Sequence, residues 1–130
     1  MLVKETWHQI APIADAAAQL FYGRLFETDP EIQAFFRGAD MAEQRRKLIQ
    51  ALTLVVHGID HLEQLVPTLA ELGRRHRQYG IEDVHYDTVG TALLWTLEQG
   101  LGSAWTPQAQ AAWSGAYAVV ANIMRGTSTH

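Results

Sequence analysis

Apolar residues return every three or four positions along nearly all of this chain, and they nowhere alternate with polar ones as a half-buried strand requires. Helices that each carry one greasy stripe must bury those stripes against one another, so the expected fold class is all-α. Proline and glycine mark the limits of the elements. A short first helix is expected over Leu2 to Ile10. Pro12 suits the first turn of a second helix, where its missing N–H has no partner to lose. That helix carries Ala16, Leu20, Phe21, Leu25 and Phe26 and should stop near Thr28. Asp29-Pro30 restarts a brief helix as cap and first-turn proline, leading to Phe35 and Phe36. After the Gly38-Ala39-Asp40 break, Asp40 and Glu43 form a capping-box-like start to a long helix. Its stripe is Leu48, Leu52, Val55, Val56 and Ile59, and Gly58-Ile59-Asp60 marks its end. Leu65 to Arg77 is a further amphipathic stretch closed by Gly80, and a longer helix runs from about Asp83 to Leu101. Thr106-Pro107 caps the last helix, whose stripe is Ala112, Ala116, Tyr117, Val120, Ile123 and Met124.

Composition narrows the function. A chain of 130 residues fits one domain, so 1–130 is read as a single unit with enough apolar material, 48%, for a core of its own. Charged residues are 18%, below the usual fraction of about 25%, which argues against disorder. With a formal net charge of -4 and one short basic cluster, Arg74 to Arg77, most of the surface repels phosphate, and no nucleic-acid partner is expected. The absence of cysteine excludes disulfides, thiolate metal sites and thiol nucleophiles. There is no charged leader with an apolar centre and no apolar run of membrane-spanning length, so the expectation is a cytoplasmic protein with no membrane partner. No serine nucleophile motif, phosphate-cradling glycine loop or paired-carboxylate constellation is present, which disfavours hydrolysis. No residue is assigned a catalytic role.

One of the six histidines stands out. At about 100° per residue, Leu65, Leu69, Leu72 and His76 fall on one narrow stripe. A neutral imidazole facing an apolar interior is a good metal ligand, and a haem iron held by one such histidine is a standard arrangement. A lone histidine on an apolar face is nevertheless more often a satisfied core residue than a ligand, so the stripe alone leaves both readings open. His57 and His61 have a spacing that can hold a metal on a helix. His57, however, lies half a turn from the apolar stripe of its helix and should face water. Gly58 also stands where a hydrolytic carboxylate would be needed.

Several segments together resemble the bacterial globins, especially the haemoglobin domain of flavohaemoglobins and their single-domain relatives. Phe21-Tyr22-Gly23-Arg24-Leu25-Phe26 is similar to that family's distal-tyrosine helix. Asp29-Pro30-Glu31 with Phe35-Phe36 resembles the turn that follows, Phe36 matching the aromatic wedged against the haem. Gln44-Arg45-Arg46-Lys47-Leu48 resembles the distal helix, and Gly73-Arg74-Arg75-His76 the proximal segment. Tyr86, Val89 and Gly90 match the next helix, and Ala112-Trp113, Ala116-Tyr117 and Ala121-Asn122 the last one. The likeness covers nearly the whole chain.

The resemblance implies a globin fold packed around one haem b, with His76 as the iron's protein ligand and Tyr22 and Gln44 as distal donors. Phe36, Lys47, Leu48, Leu72, Arg75, Tyr79, Tyr86 and Val89 are the implied cofactor-binding residues, Lys47 and Arg75 as cations for the haem propionates. The implied partners are diatomic gases, O2, NO or CO. Reversible O2 binding, for storage or transport, is the leading implied function; the alternative is nitric oxide dioxygenation, in which O2 and NO give nitrate. The chain stops where the reductase of the two-domain relatives would begin, so an external reductase is the expected electron source. A further departure concerns a glutamate near the end of the last helix. In the family it pairs with the tyrosine matching Tyr86, and here Ser128 or a neighbour takes its place.

Overall fold

The computed structural model describes residues 2–126, and over those residues it contains seven α-helices and no β-strand. They are α1 (Leu2–Ile10), α2 (Ala14–Thr28), α3 (Pro30–Gln33), α4 (Met41–His57), α5 (Leu62–Gln78), α6 (Asp83–Leu101) and α7 (Pro107–Arg125). Ser128, the residue expected in place of the family glutamate, lies outside the described residues.

Most helix starts follow the polar residue that precedes them. Asp29 accepts from the Glu31 N–H at 3.1 Å, and Thr106 Oγ1 accepts from the Ala109 N–H at 3.0 Å. Each satisfies an amide that has no partner inside its own helix. Asp40 Oδ1 takes the Ala42 and Glu43 N–H groups at 3.0 and 3.4 Å, as a cap should. Glu43 does not complete the expected box; its carboxylate pairs with Arg46 one turn on. At α6 the reciprocal arrangement does form, between Glu82 and His85, where the Glu82 N–H donates to His85 Nδ1 at 2.8 Å.

Two boundaries differ from the sequence reading. Pro12 sits in a short 3-10 turn, Ala11–Ile13, ahead of α2 rather than inside its first turn. The proline still occupies a position where no amide is needed, but the tighter turn bends the chain between α1 and α2. Similarly, α5 begins at Leu62, after a 3-10 turn at Ile59–His61, and not at Leu65. Leu62 extends the apolar spacing of Leu65 and Leu69 by one step, but no capping side chain announces the start, while Glu63 suits the positive end of the helix.

The core lies where α1, α2, α6 and α7 meet. Ile10, Leu25 and Leu97 are each 2% exposed, and each such burial is worth about 1.5–3 kcal/mol against leaving the side chain in water. Trp7 and Trp113 pack with ring centres 6.4 Å apart. The indole N–H of Trp113 donates to Thr6 Oγ1 at 2.8 Å, and that hydroxyl donates in turn to the Leu2 carbonyl at 2.6 Å. A buried polar chain of this kind, with its members satisfied, fixes how α1 sits on α7.

Helix α5 is placed differently. It packs chiefly on α7, and α4 and α5 make little direct contact. The crossing with α7 is close because Gly73 has no side chain: a Cβ there would lie 2.0 Å from the Met124 carbonyl oxygen. Arg77 Nη1 donates to that same carbonyl at 2.7 Å. One face of α5 is thus fixed against α7.

Candidate functional site

Tyr22 on α2 stands among aromatic rings. Phe21, Phe26 and Phe36 surround it with ring centres 5.0, 5.9 and 5.5 Å away, the Phe36 and Phe21 contacts being edge-to-face. Burial pushes its phenol up to about 12, so the group stays protonated at neutral pH and keeps an O–H to donate. That O–H reaches the backbone carbonyl of Gln44 at 3.4 Å. The bond is long for an O–H···O contact, and its loss costs little. Gln44 and Leu48, one turn apart on α4, are both half-buried. Tyr22, Phe36, Leu48 and Val89, drawn from α2, the turn after α3, α4 and α6, pack against one continuous core.

His76, on the last turn of α5, is half-buried. Its Nδ1 lies 2.7 Å from the Leu72 carbonyl oxygen. A carbonyl only accepts, so Nδ1 carries the proton and Nε2 holds the lone pair. A helical i to i−4 contact therefore fixes the tautomer and leaves the lone pair on Nε2. The end of the helix is secured by Gly80, whose φ of +96° lets the Ile81 N–H return to the His76 carbonyl at 3.1 Å. Leu69 is 1% exposed, whereas Leu65, Leu72 and His76 on the same stripe are only partly covered.

The other residues picked out from the sequence divide. Val89 is half-buried against the core, and Tyr86 is buried at 7% exposure. Lys47 and Arg75 are exposed, and Arg75 Nε donates to Glu71 at 3.4 Å. Tyr79 is 72% exposed at the C-terminal end of α5. Phe35 is also open, at 40%, with its ring edge-on to His85 at 5.3 Å. His57 and His61 are exposed, as their place off the stripe predicts, and the described residues hold no cluster of three or more metal-ligating side chains.

Sequence reasoning missed the contacts that involve backbone. The Leu72 carbonyl that orients His76, and the Tyr86 carbonyl that takes the Tyr117 O–H at 2.6 Å, have no residue signature. Gly73 was visible only as part of a motif, and its role as the contact point with α7 appears only once the helices are crossed. Two open grooves lie away from all of this. One, of about 530 Å³, includes Lys4, Trp7, His8 and His57; the other, of about 320 Å³, includes Leu20, Arg24 and Trp95. Neither is lined by Tyr22, Gln44 or His76.

The distinctive groups are thus an oriented imidazole on α5 and a buried phenol on α2, with partly covered leucines on α4 and α5, two helices that make little direct contact. Among the described residues no helix is long and apolar enough to cross a membrane.

Comparison with known proteins gives a consistent answer. The Globin family model matches residues 19–124, which takes in α3 to α6 whole and nearly all of α7. A flavohemoprotein of Bacillus subtilis is 32% identical over 127 residues, covering 96% of this chain and 32% of that protein. A flavohemoprotein of Rhodopirellula baltica is 34% identical over 127 residues, covering 96% of this chain and 31% of that protein. The chain thus spans about a third of the length of these relatives. The family model covers most of the chain, and these relatives match nearly all of it: the chain belongs to the globins.

Proposed function

We propose that this globin binds haem through His76 Nε2 and uses it to take up a diatomic gas reversibly, O2 first among them, with NO and CO as further ligands. The observation that carries this reading is the 2.7 Å contact from His76 Nδ1 to the Leu72 carbonyl, on a helix that stands off from α4. In this reading the neutral, pre-oriented nitrogen would face the haem, and Leu72, Leu48, Phe36 and Val89 would line it. An imidazole orphaned in a core would show its free nitrogen paired or its stripe fully covered. Here the stripe is left half-covered, as an apolar planar group requires.

Haem b, when bound, supplies an iron with one coordination position open to a gas. The residues around it divide the remaining work. Phe36, Leu48, Leu72 and Val89 cover the ring and keep water out, which limits loss of the ferrous state. Tyr22 gives up its long bond to the Gln44 carbonyl and donates to the ligand, and the Gln44 side-chain amide is the second donor. A hydrogen bond to a partly charged acceptor in a dry pocket adds about 1.5–3 kcal/mol. Lys47 meets a propionate directly, whereas Arg75 must first leave Glu71, so Lys47 is the stronger of the two. Tyr79 and Tyr86 would be further contacts of the group.

The relatives' name joins a flavin to the haem, and this chain covers only about a third of each. Electrons for any repeated chemistry on NO would come from a flavin reductase. Absorption spectra of purified protein in ferric, reduced and gas-treated forms test the binding reading, with a distinct Soret band expected in each. Colourless protein from haem-replete cells overturns it. Mixing the O2-loaded protein with excess NO separates binder from enzyme. Consumption that stops at one NO per haem fits binding; sustained turnover with a flavin reductase present assigns nitric oxide dioxygenation instead.

A further inference from the structure

The outer side of α2 exposes apolar groups where a solvated helix face is ordinarily polar throughout. At about 100° per residue, Ala16, Leu20, Gly23, Arg24 and Glu27 fall on that side, and all of them are exposed. Leu20 is 45% exposed, and Ile13, just ahead of the helix, equally so. Together with Gln19 and with Trp95 of α6, the residues from Ala16 to Glu27 on this side line the groove of about 320 Å³. A Cβ on Gly23 would meet nothing within 4 Å, so the α2 backbone is open there to close approach from outside. Tyr22 lies two residues and about 200° from Leu20, on the other side of the helix, so this surface is distinct from the gas site.

Two opposite charges frame the groove. The Arg24 guanidinium stacks over the Trp95 ring at 4.9 Å, which holds the side chain in place and leaves its N–H edge free to donate. Glu27 stands one turn further along. Neither it nor Arg24 enters an ion pair among the described residues. A face that carries a cation and an anion one turn apart is complementary to itself. When a second copy is turned about a two-fold axis, the order of signs reverses and each charge meets its opposite. A helix backbone left bare at Gly23 removes the steric obstacle at the point where such an axis would pass.

We propose that this face binds a second copy of the chain. The two α2 helices cross antiparallel at Gly23, with Arg24 of each copy set against Glu27 of the other. Leu20 and Ile13 leave water in the dimer, which supplies the apolar part of the association. The dimer does not depend on His76 holding haem.

Sedimentation equilibrium of the full chain, from micromolar to millimolar concentration, tests this and should show a reversible monomer–dimer equilibrium. Arg24→Glu and Glu27→Arg each turn two attractions into two repulsions, and each should weaken self-association about tenfold or more. An equimolar mixture of these two variants restores both attractions and should associate as the wild type does. Gly23→Gln fills the space between the helices and should abolish the dimer, while its urea midpoint in dilute solution is no lower than that of the wild type. A wild type that stays monomeric over the whole range overturns the proposal. So does a charge-reversed variant that associates as strongly as the wild type, or a mixture that fails to recover.

Discussion

Tyr22 shows how a single side chain is set up by its surroundings. Three phenylalanines take it out of water, and the same burial that raises its phenol to about 12 keeps the O–H available. If that proton is given to a gas ligand, Tyr22→Phe should raise the O2 dissociation rate about tenfold or more, measured by stopped-flow displacement with CO. An unchanged rate would move the stabilising role to Gln44. The phenol also carries a pH signature. The folded state holds the Tyr22 proton more tightly than the unfolded chain, whose tyrosines titrate near 10. Its contribution is therefore complete below about pH 10 and is lost as pH rises toward about 12. Tyr117, raised by burial in the same direction, adds to that loss. Urea midpoints should fall across this window, and less steeply in Tyr22→Phe. At this scale the sequence was legible wherever chemistry needs a distinctive side chain. Tyr22 and His76 are such residues. The groups that orient them, the Gln44 and Leu72 carbonyls, are backbone atoms that every residue possesses, so no reading of residue types finds them.

Among the elements, α5 is the one whose placement matters most to the proposed function. It bears His76, rests on α7 and makes little contact with α4. That placement depends on Gly73. Gly73→Ala puts a Cβ 2.0 Å from a backbone oxygen that cannot rotate away, so α5 and α7 must move apart. The expected cost is about 1–3 kcal/mol or more, read from the urea midpoint, together with a displaced His76. Gly23→Ala is the comparison, since nothing lies within 4 Å of a Cβ there and an exposed helical glycine is being replaced. It should stabilise by up to about 1 kcal/mol. Helix boundaries followed from the sequence where a capping residue announces them, as Asp29, Asp40 and Thr106 do. They were missed where no side chain caps the helix and the chain runs in through a 3-10 turn, as before Leu62. Periodicity reports the buried face of a helix and marks its start poorly when no capping residue stands there.

At the scale of the whole molecule, two regions divide the labour. A dense core of α1, α2, α6 and α7, tied by the Trp113–Thr6–Leu2 hydrogen bonds, carries the stability. The α4 and α5 side carries half-covered apolar residues and the oriented imidazole. An all-α domain follows from composition and spacing alone, but the gap between α4 and α5 does not, because a gap is a relation between helices. The globin membership turns that gap into an expectation about haem, and haem retention is what the proposed function stands on. The most direct measurement is a hemin titration of the full chain and of His76→Ala, followed at the Soret band. The wild type should saturate at one hemin per chain, and the variant should lose stable uptake while unfolding at nearly the same urea concentration in the absence of hemin. A wild type that takes up no hemin, or a variant that takes it up equally well, would contradict the assignment of His76.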